Sequence, residues 1–280
     1  MPIPEGQYVT LANGYKIHLT DLSPAGEAQG HPVVFLHGSG SGASGHSNFK
    51  GNYPYLVEQG YRVIVPDLIG YGYSDKPDDV EYPLDFFVEC VKQALDAVGV
   101  DKCSIIGNSL GGAIALKFTL DYPEQVVSLN LMAPGGIENQ PDYFTMPGMQ
   151  ILQRIFTQGN VDKESLRQFI SEGLVYNQSV VDDELVDERW DIYQKQNDQC
   201  LKTMRVPNLA DRLPEIQVPS IVFWGLNEQM MPETGIQTLA KGLKNTRVVL
   251  ISECGHWAMA EHKDLFNRYT LDFLNEQTQK

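Results

Sequence analysis

The chain has 280 residues, 42% hydrophobic and 20% charged, with 21 basic against 36 acidic side chains and a net charge of −15. That length allows one large core with an insertion, and the composition is that of a soluble globular protein. The acidic balance excludes nucleic acid and anionic membranes as partners, and no window approaches a membrane span.

The stretch Met1-Pro2-Ile3-Pro4-Glu5-Gly6-Gln7-Tyr8 has neither a basic region nor an apolar run, so it does not read as a signal peptide. Cys90, Cys103, Cys200 and Cys254 show no C-x-x-C spacing and no histidine at metal-site distance. No metal centre is expected; reduced, buried thiols in a cytoplasmic protein are.

Residues 8–11 and 15–20 flank Asn13-Gly14, the signal of a type I′ hairpin. Short β-rich apolar runs follow at residues 32–36, 61–65, 103–106, 126–132, 219–224 and 246–251. They suit strands covered on both faces. Helical patterns lie between them at about 52–59, 84–98, 111–121, 232–242 and 261–275. This alternation predicts an α/β fold with a mainly parallel, doubly wound sheet, whose site lies beyond the carboxyl ends of the strands. It breaks between residues 134 and 207, where helical spacings at 149–156, 163–172 and 182–195 occur without a strand. A helical lid inserted after the sixth strand is the expectation. The core is then residues 1–133 and 208–280, and the cap 134–207.

The stretch most charged with chemistry is Gly107-Asn108-Ser109-Leu110-Gly111, a G-x-S-x-G between a buried strand and a helix. Such a tight strand-to-helix turn strains the serine backbone and lifts its Oγ above the sheet, at a helix N-terminus. A serine nucleophile needs a base and a third group to hold that base. Of the six histidines, His256 follows the strand ending at Ile251 and precedes the last helical pattern, which suits the base. His18, His31, His37, His46 and His262 have structural readings. Glu228, in the loop after residues 219–224, is the candidate acid, with Glu253 and Glu138 as alternatives. The oxyanion requires two backbone N–H donors, each worth about 3 kcal/mol. Leu110 and Ser39 are assigned to it, Ser39 from the loop His37-Gly38-Ser39-Gly40-Ser41-Gly42-Ala43-Ser44-Gly45.

Gly40, Gly42 and Gly45 also satisfy G-x-G-x-x-G, with Asp67 placed as a ribose-binding acid would be. However, the match begins four residues after the strand ends and no helical pattern opens at Gly45, so a dinucleotide site is disfavoured. Asp67 is read as a structural loop carboxylate.

These residues resemble the α/β-hydrolase family over nearly the whole chain. Within it they resemble the meta-cleavage-product hydrolases, which split a C–C bond in ring-fission products of aromatic degradation. The likeness rests on His37 to Ala43 with Ser47-Asn48-Phe49, on Gly107 to Gly112, on Glu188-Arg189-Trp190 in the lid, on Cys254-Gly255-His256-Trp257, and on Glu261-His262 with Phe266-Asn267-Arg268. Leu226 and Glu228 stand where the family carries Arg and Asp. Ser41 stands for a Pro, a change expected to alter only loop stiffness.

The resemblance implies that Asn48, Asn108, Arg189 and Trp257 surround the carboxylate and dienol end of a 2-hydroxy-6-oxo-hexa-2,4-dienoate. It also implies a small anionic dienoate as substrate, no cofactor, and a homodimer or higher homo-oligomer. A guanidinium fork suits a carboxylate; the alternative for Arg189 is a solvated helix residue pairing with Asp187 or Asp191. Ketonisation of the dienol, attack of Ser109 on C6, and release of 2-hydroxypenta-2,4-dienoate and a carboxylic acid would follow. Met146, Met149, Met230 and Met231 are candidates to line the C6 pocket, with core packing as the alternative. The C6 substituent is not legible. A carboxylesterase with the same triad, a signal-binding protein on a hydrolase fold and a cofactor-free oxygenase or perhydrolase are the competing readings.

Overall fold

In a computed structural model describing residues 5–157 and 161–278, the apolar runs form β1 (Gln7–Thr10), β2 (Lys16–Leu22), β3 (Val33–Leu36), β4 (Val63–Pro66), β5 (Cys103–Asn108), β6 (Val126–Met132), β7 (Ser220–Gly225) and β8 (Thr246–Ile251). Residues 1–4, which head the stretch lacking a leader pattern, 158–160 in the expected cap, and 279–280 lie outside the described residues. The strands make one sheet in the order β1-β2-β4-β3-β5-β6-β7-β8. β1 and β2, and β2 and β4, pair antiparallel; every later pairing is parallel. Strand β5 sits between β3 and β6 with all its residues buried, so its carboxyl end lies in the interior of the sheet.

Helices α1 (Gly45–Phe49), α2 (Tyr53–Glu58), α3 (Leu84–Ala97) and α4 (Leu110–Asp121) precede β6. Between β6 and β7 come α5 (Gln140–Phe144), α6 (Pro147–Thr157), α7 (Lys163–Phe169), α8 (Asp183–Tyr193) and α9 (Gln199–Thr203). The chain closes with α10 (Thr234–Gly242), α11 (Ala258–Glu261) and α12 (Lys263–Thr278). The segment between β6 and β7 touches the loops at the strand carboxyl ends. Gly42 N donates to Gln196 Oε1 (3.1 Å), Gly148 N to Gln229 O (2.9 Å) and His256 N to Leu174 O (2.7 Å).

The structure departs from the sequence expectations in four places. The opening hairpin is not type I′: Gly14 has φ +87 but Asn13 is not left-handed, and Gly14 N bonds Leu11 O (2.9 Å). A type I turn followed by a left-handed glycine satisfies the same Asn-Gly letters. Strand β8 is not covered on both faces, since only Ile251 is buried; it is the sheet edge, and an apolar run does not distinguish edge from centre. A short helix does open at Gly45, because Ser44 and Ser47 cap each other. The final helical pattern breaks at His262 (φ −123), which separates α11 from α12.

Candidate active site

Ser109 joins β5 to α4 with φ 55 and ψ −116. A non-glycine residue held there costs roughly 1–3 kcal/mol, which the surrounding packing must overcome. That packing is close: a Cβ on Gly111 would stand 2.0 Å from Leu36 O, and one on Gly107 would stand 2.5 Å from Gly111 O. Only glycine lets α4 approach β5 and β3 so nearly. Ser109 N donates to Met132 O (3.0 Å), and Ser109 O accepts from Gly135 N (2.9 Å) and Ala113 N (3.1 Å), fixing the elbow from β6 and α4. Leu110 heads α4, where its N–H has no carbonyl one turn behind it. Gly38 lies against the elbow, since its Cβ would be 3.2 Å from Ser109 Cβ. Ser39, half-buried, is the next residue in that loop.

His256 and Glu228 are together. Glu228 follows β7 and His256 follows β8, adjacent parallel strands, so both loops emerge at one edge of the site. Nδ1 of His256 is 2.6 Å from Glu228 Oε2, with both side chains 3% exposed. Glu228 Oε1 accepts from Met230 N (2.6 Å) and Met231 N (3.3 Å). An ionised carboxylate only accepts, so the imidazole proton belongs on Nδ1 and the lone pair on Nε2. Among the described residues no hydrogen bond links Ser109 Oγ to the ring; in unliganded sites that contact tightens as substrate arrives. Asn108 Nδ2, one residue before the serine, reaches His256 O (3.4 Å) and Met132 O (3.3 Å). Glu228→Gln is expected to lower kcat by about 10²–10⁴-fold, because an amide no longer enforces the Nδ1–H tautomer. Steady-state turnover beside an unchanged melting curve checks it.

Arg189 comes from α8 yet is 1% exposed. Its Nε donates to Ser41 O (3.3 Å) and its Nη1 to Asn48 Oδ1 (3.2 Å), while its guanidinium carbon lies 4.8 Å from the Trp257 ring centroid. Asp187 pairs with Lys163, and Glu188 with Lys50 (2.9 Å). Among the described residues no carboxylate bridges Arg189, which excludes the solvated ion-pair reading. Burial pushes the guanidinium down to about 9, with Glu188 pulling the other way; at neutral pH the cation persists. An uncompensated buried cation costs several kcal/mol, and an arriving anion offsets that cost. A guanidinium in this setting is chemically suited to pair with an anion at the glycine-rich loop after β3.

Ser41 Oγ, Asn108 Oδ1 and Gln196 Nε2 are among the buried polar atoms that have no hydrogen-bond partner among the described residues. The contacts of Ser41 and Gln196 at this loop escaped the sequence reading: one looked like a stiffness change, and the other meets Gly42 only through the fold. Asp67 is structural. Its Oδ1 accepts from Gly45 N (2.7 Å), and its Oδ2 from Tyr73 N (2.9 Å) and His18 Nδ1 (2.9 Å). Burial raises its pKa, but the bonds from His18 and from Tyr73 N leave it below the ordinary value. Although a helix opens at Gly45, this carboxylate takes the N–H there. His37 is held neutral, its pKa lowered to about 4 by burial, with Nδ1 on Gly38 O (2.7 Å) and Nε2 accepting from Leu68 N (3.0 Å). Neither residue is free for proton transfer.

A serine on a strained strand-to-helix elbow, and a histidine–carboxylate pair on the loops of two neighbouring strands, define the class of α/β serine hydrolases. The chain belongs to the alpha/beta hydrolase fold family, with which residues 31–263 align. It is 36% identical over 271 residues to a 2-hydroxy-6-oxo-6-phenylhexa-2,4-dienoate hydrolase of Burkholderia cepacia, covering 94% of this chain and 92% of that one. It is 37% identical over 273 residues to a 2-hydroxy-6-oxononadienedioate/2-hydroxy-6-oxononatrienedioate hydrolase of Comamonas testosteroni, again covering 94% and 92%. The solved meta-cleavage product hydrolase of Pseudomonas fluorescens superposes with a TM-score of 0.82 at 26% identity, over 97% of this chain and 98% of that chain.

Proposed function

We propose that this protein hydrolyses the C5–C6 bond of a 2-hydroxy-6-oxo-hexa-2,4-dienoate. The observation that carries the proposal is Arg189, a buried cation without a carboxylate partner among the described residues, held by Asn48 and Trp257 near the serine elbow. An esterase triad alone has no use for it. The substrate carboxylate takes the guanidinium, Asn108 Oδ1 accepts from the 2-hydroxyl of the enol, and Asn48 bonds the 2-oxygen without adding charge.

The enol proton leaves O2 and C5 gains one, giving the 2,6-diketone. Nε2 of His256 removes the Ser109 proton as Oγ bonds to C6, and the N–H groups of Ser39 and Leu110 hold the oxyanion. The C5–C6 bond then breaks. Its electron pair delocalises onto the 2-oxygen beside Arg189, that oxygen takes the proton held by His256, and 2-hydroxypenta-2,4-dienoate leaves. Water, deprotonated by His256, then bonds to the acyl carbon; the bond from that carbon to Ser109 Oγ breaks, the proton returns from His256 to Oγ, and the carboxylic acid leaves. In this reading residues 134–207 act as the cap over the core. The enzyme works in the cytoplasm, which the four buried free thiols support. It assembles as a homodimer or larger homo-oligomer, which the open edge of β8, with Leu250 50% exposed, supports. Among the described residues no helix is long and apolar enough to cross a membrane.

A yellow 6-substituted dienoate assayed beside a nitrophenyl ester tests the proposal. Loss of dienoate absorbance with kcat/KM at least about 10²-fold above that for the ester is the expected result. Ester turnover without dienoate loss would make the protein a carboxylesterase.

A further inference from the structure

Glu261 ends α11, five residues after His256, and its carboxylate spends both oxygens on backbone donors from two separate parts of the chain. Oε1 accepts from Gly255 N (2.9 Å), the residue before His256. Oε2 accepts from Tyr176 N (2.7 Å) and Asn177 N (2.8 Å), which follow the wide helical turn Ile170–Leu174 between β6 and β7. The same turn holds the histidine directly, since His256 N donates to Leu174 O (2.7 Å). The histidine loop is thus tied to residues 174–177 of the segment between β6 and β7, by one direct bond and one carboxylate bridge.

From this bridge we infer that Glu261 is a positioning residue that makes the alignment of His256 depend on the seating of residues 174–177. The inference rests on the proposed role of His256 as base for Ser109. Charge-assisted bonds from one carboxylate to three N–H groups are stronger than neutral ones, so the two segments move as a unit. If residues 174–177 lift away, His256 N loses Leu174 O and Glu261 loses two of its three donors, so the loop that holds the imidazole against Glu228 loosens and the base is misaligned. Small displacements of this kind cost about 10²-fold in rate. Glu261 touches no reacting atom; its effect passes through the backbone of Gly255 and His256.

The test uses Glu261→Gln, which keeps shape and volume but leaves one acceptor oxygen for donors on two sides, and Tyr176→Pro, which deletes one donor while leaving Glu261 in place. Two quantities are measured on folded, active-site-titrated protein. One is kcat and KM on a dienoate. The other is the rate at which phenylmethanesulfonyl fluoride sulfonylates Ser109: an O–S bond forms, fluoride leaves, and the serine proton passes to His256. Each variant is expected to lose about tenfold or more in kcat and in sulfonylation rate with KM within about threefold, and the double variant to lose less than the product of the two. Wild-type sulfonylation in either variant, a loss confined to KM, or full multiplicativity would overturn the inference. Wild-type protein that resists the sulfonyl fluoride altogether would instead refute the role given to Ser109 and His256.

Discussion

Ser109→Ala is expected to lower C–C cleavage by about 10⁴-fold or more while the dienol still ketonises. The separation follows from the geometry. Ketonisation requires the polar shell of Arg189, Asn48 and Asn108 and a proton acceptor, all of which survive the substitution. Cleavage requires an oxygen at the strained elbow where φ is 55. Stopped-flow absorbance checks this, with rapid bleaching of the dienolate band to a ketone that persists. Alanine at this position relieves none of the backbone strain, because the close approach of α4 to β3 remains. The melting temperature is therefore expected to stay near that of the wild type. Cleavage at a rate within tenfold of wild type would remove Ser109 from the chemistry.

Arg189→Gln carries the second large effect. Taking away the cation leaves the substrate carboxylate buried without its partner, a loss of about 3–4 kcal/mol, or 10²–10³-fold in kcat/KM for a dienoate. A nitrophenyl ester, which has no carboxylate to place, is expected to lose less than about tenfold. The sign on stability is opposite to that for most core changes. Arg189 is 1% exposed with no ion pair among the described residues, so folding bears the cost of burying it. The variant is expected to melt at or above the wild-type temperature, by calorimetry. Equal losses on both substrates, or marked destabilisation, would show that Arg189 holds the fold and not the anion.

The elbow was legible in the sequence because glycines at 107 and 111 and the serine between them sit in a strand-then-helix pattern, although a Gly-rich helix entry that only packs carries the same letters. Glu228 and His256 were legible by position, each falling just past an apolar run, and adjacent parallel strands bring such loops together. Arg189 stood out only through a family likeness; nothing in the local pattern of α8 marks it as buried, since Asp187, Glu188 and Asp191 around it read as a solvated face. Its burial comes from the loop after β3, where Gly42 lies against the Arg189 backbone. The contacts that Gln196 makes with Gly42 and Glu261 with Tyr176 were not legible, because these partners are backbone groups distant in sequence. The short helix at Gly45 was hidden for a different reason. Two serines at N-cap and N3 close it, a weaker signal than a Ser/Glu box, inside a Gly-rich run that reads as loop. The edge character of β8 depends on nothing following it in the sheet, which an apolar pattern does not encode.

The most direct measurement is rapid-quench mass spectrometry of the first turnover on a 6-aryl dienoate. The peptide containing Ser109 is predicted to carry the aryl acyl group at a time when 2-hydroxypenta-2,4-dienoate has already been released. Release of both products in step, with that peptide unmodified throughout, would contradict covalent catalysis at the elbow.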